Sequence, residues 1–167
     1  RWIVKEKKMR KLVKRLAVFV LAAVMLAAMP ACSSASEAEY TQKVEEVVTR
    51  LSEASSAFYS DVETLFRDLT DENRTKVMGD LDEMEAVFKE IAALEAPKKY
   101  EEVQNCLSQS ADSALKGIAV YRTELGAVTA DTVDDAFLER VAEGDGYLQD
   151  AQDKMMEAAE LVGSLDS

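Results

Sequence analysis

Two cysteines, Cys32 and Cys106, and a complete absence of histidine bound the chemistry open to this 167-residue chain. Without imidazole there is no His-ligated haem, no Ser-His-Asp triad and no Cys-His pair. The Glu-x-x-His ligand set that builds di-iron sites inside helical bundles is excluded too. A zinc site would need several thiolates, and no Gly-rich phosphate loop or EF-hand pattern occurs. Carboxylates remain. Asp131, Asp134 and Asp135 recur at helical spacing beside a loop. Asp80, Asp82, Glu83 and Glu85 form a second group, and Asp145 and Asp150 lie near two glycines. Such runs read first as solvated helix faces and helix-dipole partners, with weak cation binding as the alternative. Acid–base catalysis needs a carboxyl of raised pKa in a cleft, and no cleft is marked. Cys106 adjoins Leu107 of an apolar stripe and reads as a buried, inert thiol. The expectation is a non-enzymatic protein with no metal and no cofactor.

Cys32 is set apart by what precedes it. Residues 1–15 carry Arg1, Lys5, Lys7, Lys8, Arg10, Lys11, Lys14 and Arg15 against Glu6 alone, and the 16 residues from Leu16 to Ala31 carry no charge. A basic run followed by an apolar run is the pattern of a secretory signal. A bilayer-spanning helix needs about 20 apolar residues, so 16 make a marginal span. Pro30 also favours an extended segment over a continuing helix. Met9 opens a normal basic region, Met9-Arg10-Lys11-Leu12-Val13-Lys14-Arg15, and is expected to be the true start.

The segment Leu26-Ala27-Ala28-Met29-Pro30-Ala31-Cys32 resembles the lipobox of bacterial lipoproteins. Ala31 is the small residue wanted before the cysteine; Met29 and Pro30 stand where the commoner pattern has Leu and a small residue. The resemblance covers about residues 9–36. It implies that the Cys32 thiol receives a diacylglyceryl group, that the chain is cut before Cys32, and that the protein is held by acyl chains on the extracytoplasmic face of a membrane. A secreted protein cut near Ala35 is the alternative. With Cys32 acylated, Cys106 has no partner for a disulfide. The segment Ala96-Pro97-Lys98-Lys99-Tyr100-Glu101-Glu102-Val103 is similar to a stretch of small helical lipoproteins of unknown function, in which Pro opens a helix.

Beyond Cys32 the composition reverses. The whole chain has 20 basic and 32 acidic residues. The first 31 residues hold eight and one of these, which leaves a net charge near −19 on the remainder. So acidic a surface disfavours nucleic acid and anionic lipid. An envelope protein or a small ligand stays open as partner, beside the membrane reached through the lipid; a purely structural envelope spacer is the alternative to a binding role.

The elements that carry these residues are helices. Tyr40, Val44, Val47, Leu51, Ala54, Phe58, Val62, Leu65 and Leu69 recur every three or four residues. So do Val77, Leu81, Met84, Phe88, Ile91 and Leu94, and two further sets run from Tyr100 to Leu125 and from Phe137 to Val162. Each set keeps one apolar stripe toward a partner. Thr70 is placed to cap the second helix, Pro97 to open the third, Gly126 to end it, and Asp131 or Thr132 to cap the fourth. The prediction is an all-α, antiparallel up-down four-helix bundle, with helices near 37–69, 71–95, 97–125 and 131–163. It follows a signal peptide, 1–31, and a tether, 32–36. An open hairpin that closes on a second copy is the competing arrangement.

Bulk is lost at three helix midpoints, around Ser55, around Ser110 and Ala111, and at Gly144 with Gly146. A layer of small side chains at one height has three readings. It is a tight waist, a helix break (at Ser55-Ser56 or at the glycines), or a small pocket.

Overall fold

The computed structural model describes residues 35–165. They form α1 (Ala35–Arg67), α2 (Asp71–Ala92), a single 3-10 turn over Lys98–Tyr100, α3 (Glu101–Gly126) and α4 (Asp135–Leu165). The architecture is the all-α four-helix bundle that the heptad spacing predicts. At 1.5 Å per residue the 33-residue α1 is about 50 Å long. It runs unbroken through Ser55-Ser56, and α4 runs unbroken through Gly144 and Gly146.

Contacts at the two ends show the alternation of direction. At the base, where α1 begins, the Tyr40 hydroxyl donates to Gln104 Oε1 at 2.9 Å, and the Tyr40 and Tyr100 rings lie 5.4 Å apart. At the opposite end Arg74 Nη2 donates to Val128 O at 2.8 Å, joining the α3–α4 loop to the start of α2. Two more aromatic pairs follow α1 upward, Phe58 with Tyr121 and Phe66 with Phe137. The apolar stripes close on one another within the single chain. Val44, Leu65, Leu81, Phe88, Leu107, Met155 and their neighbours are buried in one continuous core. Burying such side chains is the main favourable term in folding, about 1.5–3 kcal/mol for each large one.

Local chemistry sets the ends. Thr70 takes extended backbone, and its Oγ1 accepts from Asn73 N at 3.2 Å, with Asp71 and Glu72 in the positive first turn. Asn73 Nδ2 donates to Asp68 O at 2.8 Å, which stitches the α1–α2 connection. Other ends depart from expectation. α2 stops at Ala92, three residues early: its last turn tightens, with Ala93 N shared between Lys89 O and Glu90 O and Leu94 N on Ile91 O at 3.3 Å, so the chain has left the helix before Pro97. Irregular chain leads to Pro97, which takes extended backbone and whose carbonyl accepts from Tyr100 N at 2.7 Å. Gly126 is the last residue of α3 but not a left-handed stop, since no described residue has positive φ. The cap of α4 is neither Asp131 nor Thr132. It is Asp134, whose Oδ1 accepts from Phe137 N at 2.8 Å. The shift has a packing cause. Val128 and Val133 are both buried, so the connecting chain must loop inward before α4 begins. Thr132 instead closes that loop, its Oγ1 accepting from Thr129 N at 2.8 Å.

Candidate functional site

Of the three pairs of consecutive helices, α3 and α4 make the closest backbone approach, and the small residues explain it. Ser110 and Ala111 are fully buried, and Ser110 Oγ donates to Ala151 O across the seam at 2.7 Å. Seven residues along α3, and seven back along α4, Gly117 faces Gly144. A Cβ on Gly117 would lie 3.1 Å from Gly144 O and 3.0 Å from Leu148 Cδ2; one on Gly144 would lie 3.2 Å from Val120 Cγ1. Atoms, not space, occupy these positions. The structure therefore brings Ser110, Ala111 and Gly144 to the α3–α4 pair, where close packing holds them. Ser55 is on α1, buried at 6% exposure, its Oγ without a hydrogen-bond partner. Gly146, two residues from Gly144, is exposed, with nothing within 4 Å of its added Cβ. Gly117 is a further small residue of this seam, outside the three helix midpoints. Its signal was the seven-residue spacing from Ser110, mirrored by Gly144 and Ala151 on the antiparallel partner.

The carboxylate groups disperse to separate partners. Arg122 takes Asp82 at 2.5 Å and Glu85 at 2.6 Å, bridging α3 to α2. Arg50 takes Glu83 at 3.0 Å and Glu90 at 2.5 Å, bridging α1 to α2. Exposed pairs of this kind contribute about 0–1 kcal/mol each. Asp134 is a cap, while Asp131, Asp135 and Asp150 are exposed. Among the described residues no group of three or more His, Cys, Asp or Glu side chains is placed to hold a metal ion.

Two acids are in unusual surroundings. Asp145 accepts a hydrogen bond from the buried Tyr121 hydroxyl. Burial and the neighbouring carboxylate push that phenol well above its ordinary range. Asp80 is half-buried, and its Oδ2 is fully covered with no hydrogen-bond partner. Burial, then the charge of Asp61 and contact with it, push the Asp80 carboxyl up to about 6. Cys106 is buried, and burial followed by the charge of Glu157 raises its thiol, as expected of an unreactive cysteine. Cys32 lies outside the described residues.

The base of the bundle holds a concavity of about 510 Å³, lined by Ser36, Glu39, Tyr40 and Lys43 of α1 and by Ala93–Pro97 of the α2–α3 connection. Beneath it is a buried polar cluster. Gln104 accepts from Tyr40, and its Nε2 donates to Ile91 O at 2.8 Å and to Ser108 Oγ at 3.2 Å. Ile91 O belongs to the last turn of α2, whose carbonyls have no partner within the helix. At the rim Lys43 Nζ donates to Glu39 at 2.7 Å.

Fold and site together define an antiparallel four-helix bundle with a close α3–α4 seam and an open, charged base. The chain belongs to the family described as Domain of unknown function (DUF7018), whose model matches residues 34–152. The match begins at the edge of α1 and ends within α4. No curated protein matches the chain, and no solved structure does.

Proposed function

We propose that this protein is a membrane-anchored extracytoplasmic lipoprotein, acylated at Cys32, that works as a non-enzymatic binding module. One observation carries the reading. Cys32 closes a charge-free run behind a basic one, and the folded bundle begins three residues later, at Ala35. An acyl group on that thiol would hold the base of the bundle at the lipid surface, since three residues span at most about 11 Å. Multiple acyl chains on one residue suffice for stable attachment. No described helix is long and apolar enough to cross a membrane. The partners that fit are an envelope protein or a small ligand, and the net acidity beyond Cys32 disfavours nucleic acid.

The test is metabolic labelling with an alkyne fatty acid in a bacterium that processes lipoproteins. The wild-type chain should take up label and fractionate with membranes. Cys32→Ser should lose both. Label retained by Cys32→Ser would sink the proposal.

A further inference from the structure

We infer that the concavity at the base of the bundle binds the primary ammonium group of a membrane-lipid headgroup, with Glu39 and Glu95 accepting its N–H donors. The inference rests on the lipid-anchor reading for the source of the ligand, and on the structure for its chemistry. Position comes first. Ser36 and Glu39 line the concavity from the first turns of α1, and Ser36 is four residues from Cys32, at most about 14 Å of chain. A headgroup of the leaflet that carries the anchor is thus within reach of the rim. Size agrees, because small-molecule sites occupy about 300–1,000 Å³.

Charge selects the ligand. The lining holds Glu39 and Glu95 against Lys43 alone. Glu46 also acts on the Lys43 ammonium. The C-terminal end of α2 borders the same space, with Ala93 and Leu94 in its lining. The site therefore has a surplus of acceptors and favours a cation. Lys43 already demonstrates the contact, with its ammonium on Glu39 at 2.7 Å. A lipid ammonium would take that place, and Lys43 would turn toward Glu46, one turn further along α1. A primary ammonium has three N–H donors for the two carboxylates; a quaternary one has none. Quaternary ammonium is recognised by cages of aromatic rings, and Tyr40 is the single aromatic residue in the lining.

The test uses residues 33–167, which contain the whole closed core, and vesicles of phosphatidylcholine with or without an equal part of phosphatidylethanolamine. Because this chain lacks Cys32, the result is independent of acylation, which the labelling experiment reads separately. Co-sedimentation at low salt should favour the phosphatidylethanolamine vesicles. Glu39→Gln and Glu95→Gln should each weaken that preference by up to about fivefold, the upper end for one exposed ion pair. Lys43→Ala should strengthen it, because it removes the internal competitor. All three positions are on the surface, and unchanged thermal melts would show that the fold is kept. Equal binding to both vesicles, no binding to either, or weakening by Lys43→Ala would overturn the inference. So would binding of soluble phosphoethanolamine, followed by chemical shifts of the lining residues, without any vesicle preference.

Discussion

Replacing glycine by alanine at two positions, Gly117 and Gly146, should move stability in opposite directions. Both residues are inside helices, where alanine is favoured over glycine by about 1 kcal/mol. At Gly146 nothing lies within 4 Å of the new Cβ, so Gly146→Ala should gain that full amount. At Gly117 the new atom would stand 3.0 Å from Leu148 Cδ2 and 3.1 Å from Gly144 O. The leucine can rotate away. The carbonyl cannot, because it belongs to the α4 backbone, so the two helices must separate. Overpacking of this kind costs about 1–3 kcal/mol, which leaves Gly117→Ala a net loss of about 1 kcal/mol once the propensity gain of about 1 is subtracted. The two variants should thus differ by about 2 kcal/mol, or about 8 °C in Tm for a domain of this size. Urea unfolding of the bundle is the assay, with equal slopes required so that midpoints can be compared. Stabilisation of Gly117→Ala to the same extent as Gly146→Ala would refute the close α3–α4 approach. Gly144→Ala should follow Gly117→Ala, since its Cβ would meet the β-branched Val120.

Asp80→Asn should stabilise the protein at neutral pH and have no effect near pH 4. The folded-state carboxyl, at about 6, titrates above its ordinary value of 3.8. The folded state therefore binds the proton more tightly, and stability is lost as pH rises from about 4 to about 6 and stays lost above. The full shift corresponds to about 3 kcal/mol, but Asp80 is half-exposed and screening reduces this to about 1 kcal/mol. Unfolding midpoints of wild type and variant across pH 4–8 should diverge with rising pH; parallel curves would contradict the assignment. Tyr121→Phe removes the hydroxyl that donates to Asp145 and should cost about 1–2 kcal/mol, read by chemical denaturation. Asp134→Ala deletes the α4 cap and should cost about 1 kcal/mol, whereas Asp131→Ala should cost almost nothing. Equal losses in a thermal melt would return the cap to Asp131.

Periodicity was the strongest legible signal. The positions named on the first stripe, from Tyr40 to Leu65, are the buried face of α1. Helix–helix packing in water requires a continuous apolar stripe, and such a stripe is visible without coordinates. Thr70 was legible for the same reason, since its partner, Asn73 N, is three residues away. Helix ends that depend on distant contacts were not. Asp134 replaces Asp131 because Val128 and Val133 pack inward, and no local rule expresses that. The carboxylate runs were legible as solvated helix faces, for Asp82 and Glu83 are exposed and Glu85 partly so, but their partners were not. Asp82, Glu83 and Glu85 are close in sequence but project around a helix to two sides, Asp82 and Glu85 to Arg122 of α3 and Glu83 to Arg50 of α1.

By itself the sequence determined the helical class, the number of helices, the faces they bury and the absence of imidazole chemistry. These depend on residue type and on spacings of three, four and seven, which the chain carries locally. Tertiary structure alone decided that Gly117 meets Gly144, that Asp80 sits against Asp61, and that Glu39, Lys43 and Glu95 share one concavity at the base. Each of these joins residues from elements whose mutual height and rotation are set by how four stripes interlock. That relation is a property of the packed core as a whole, and no single segment holds it.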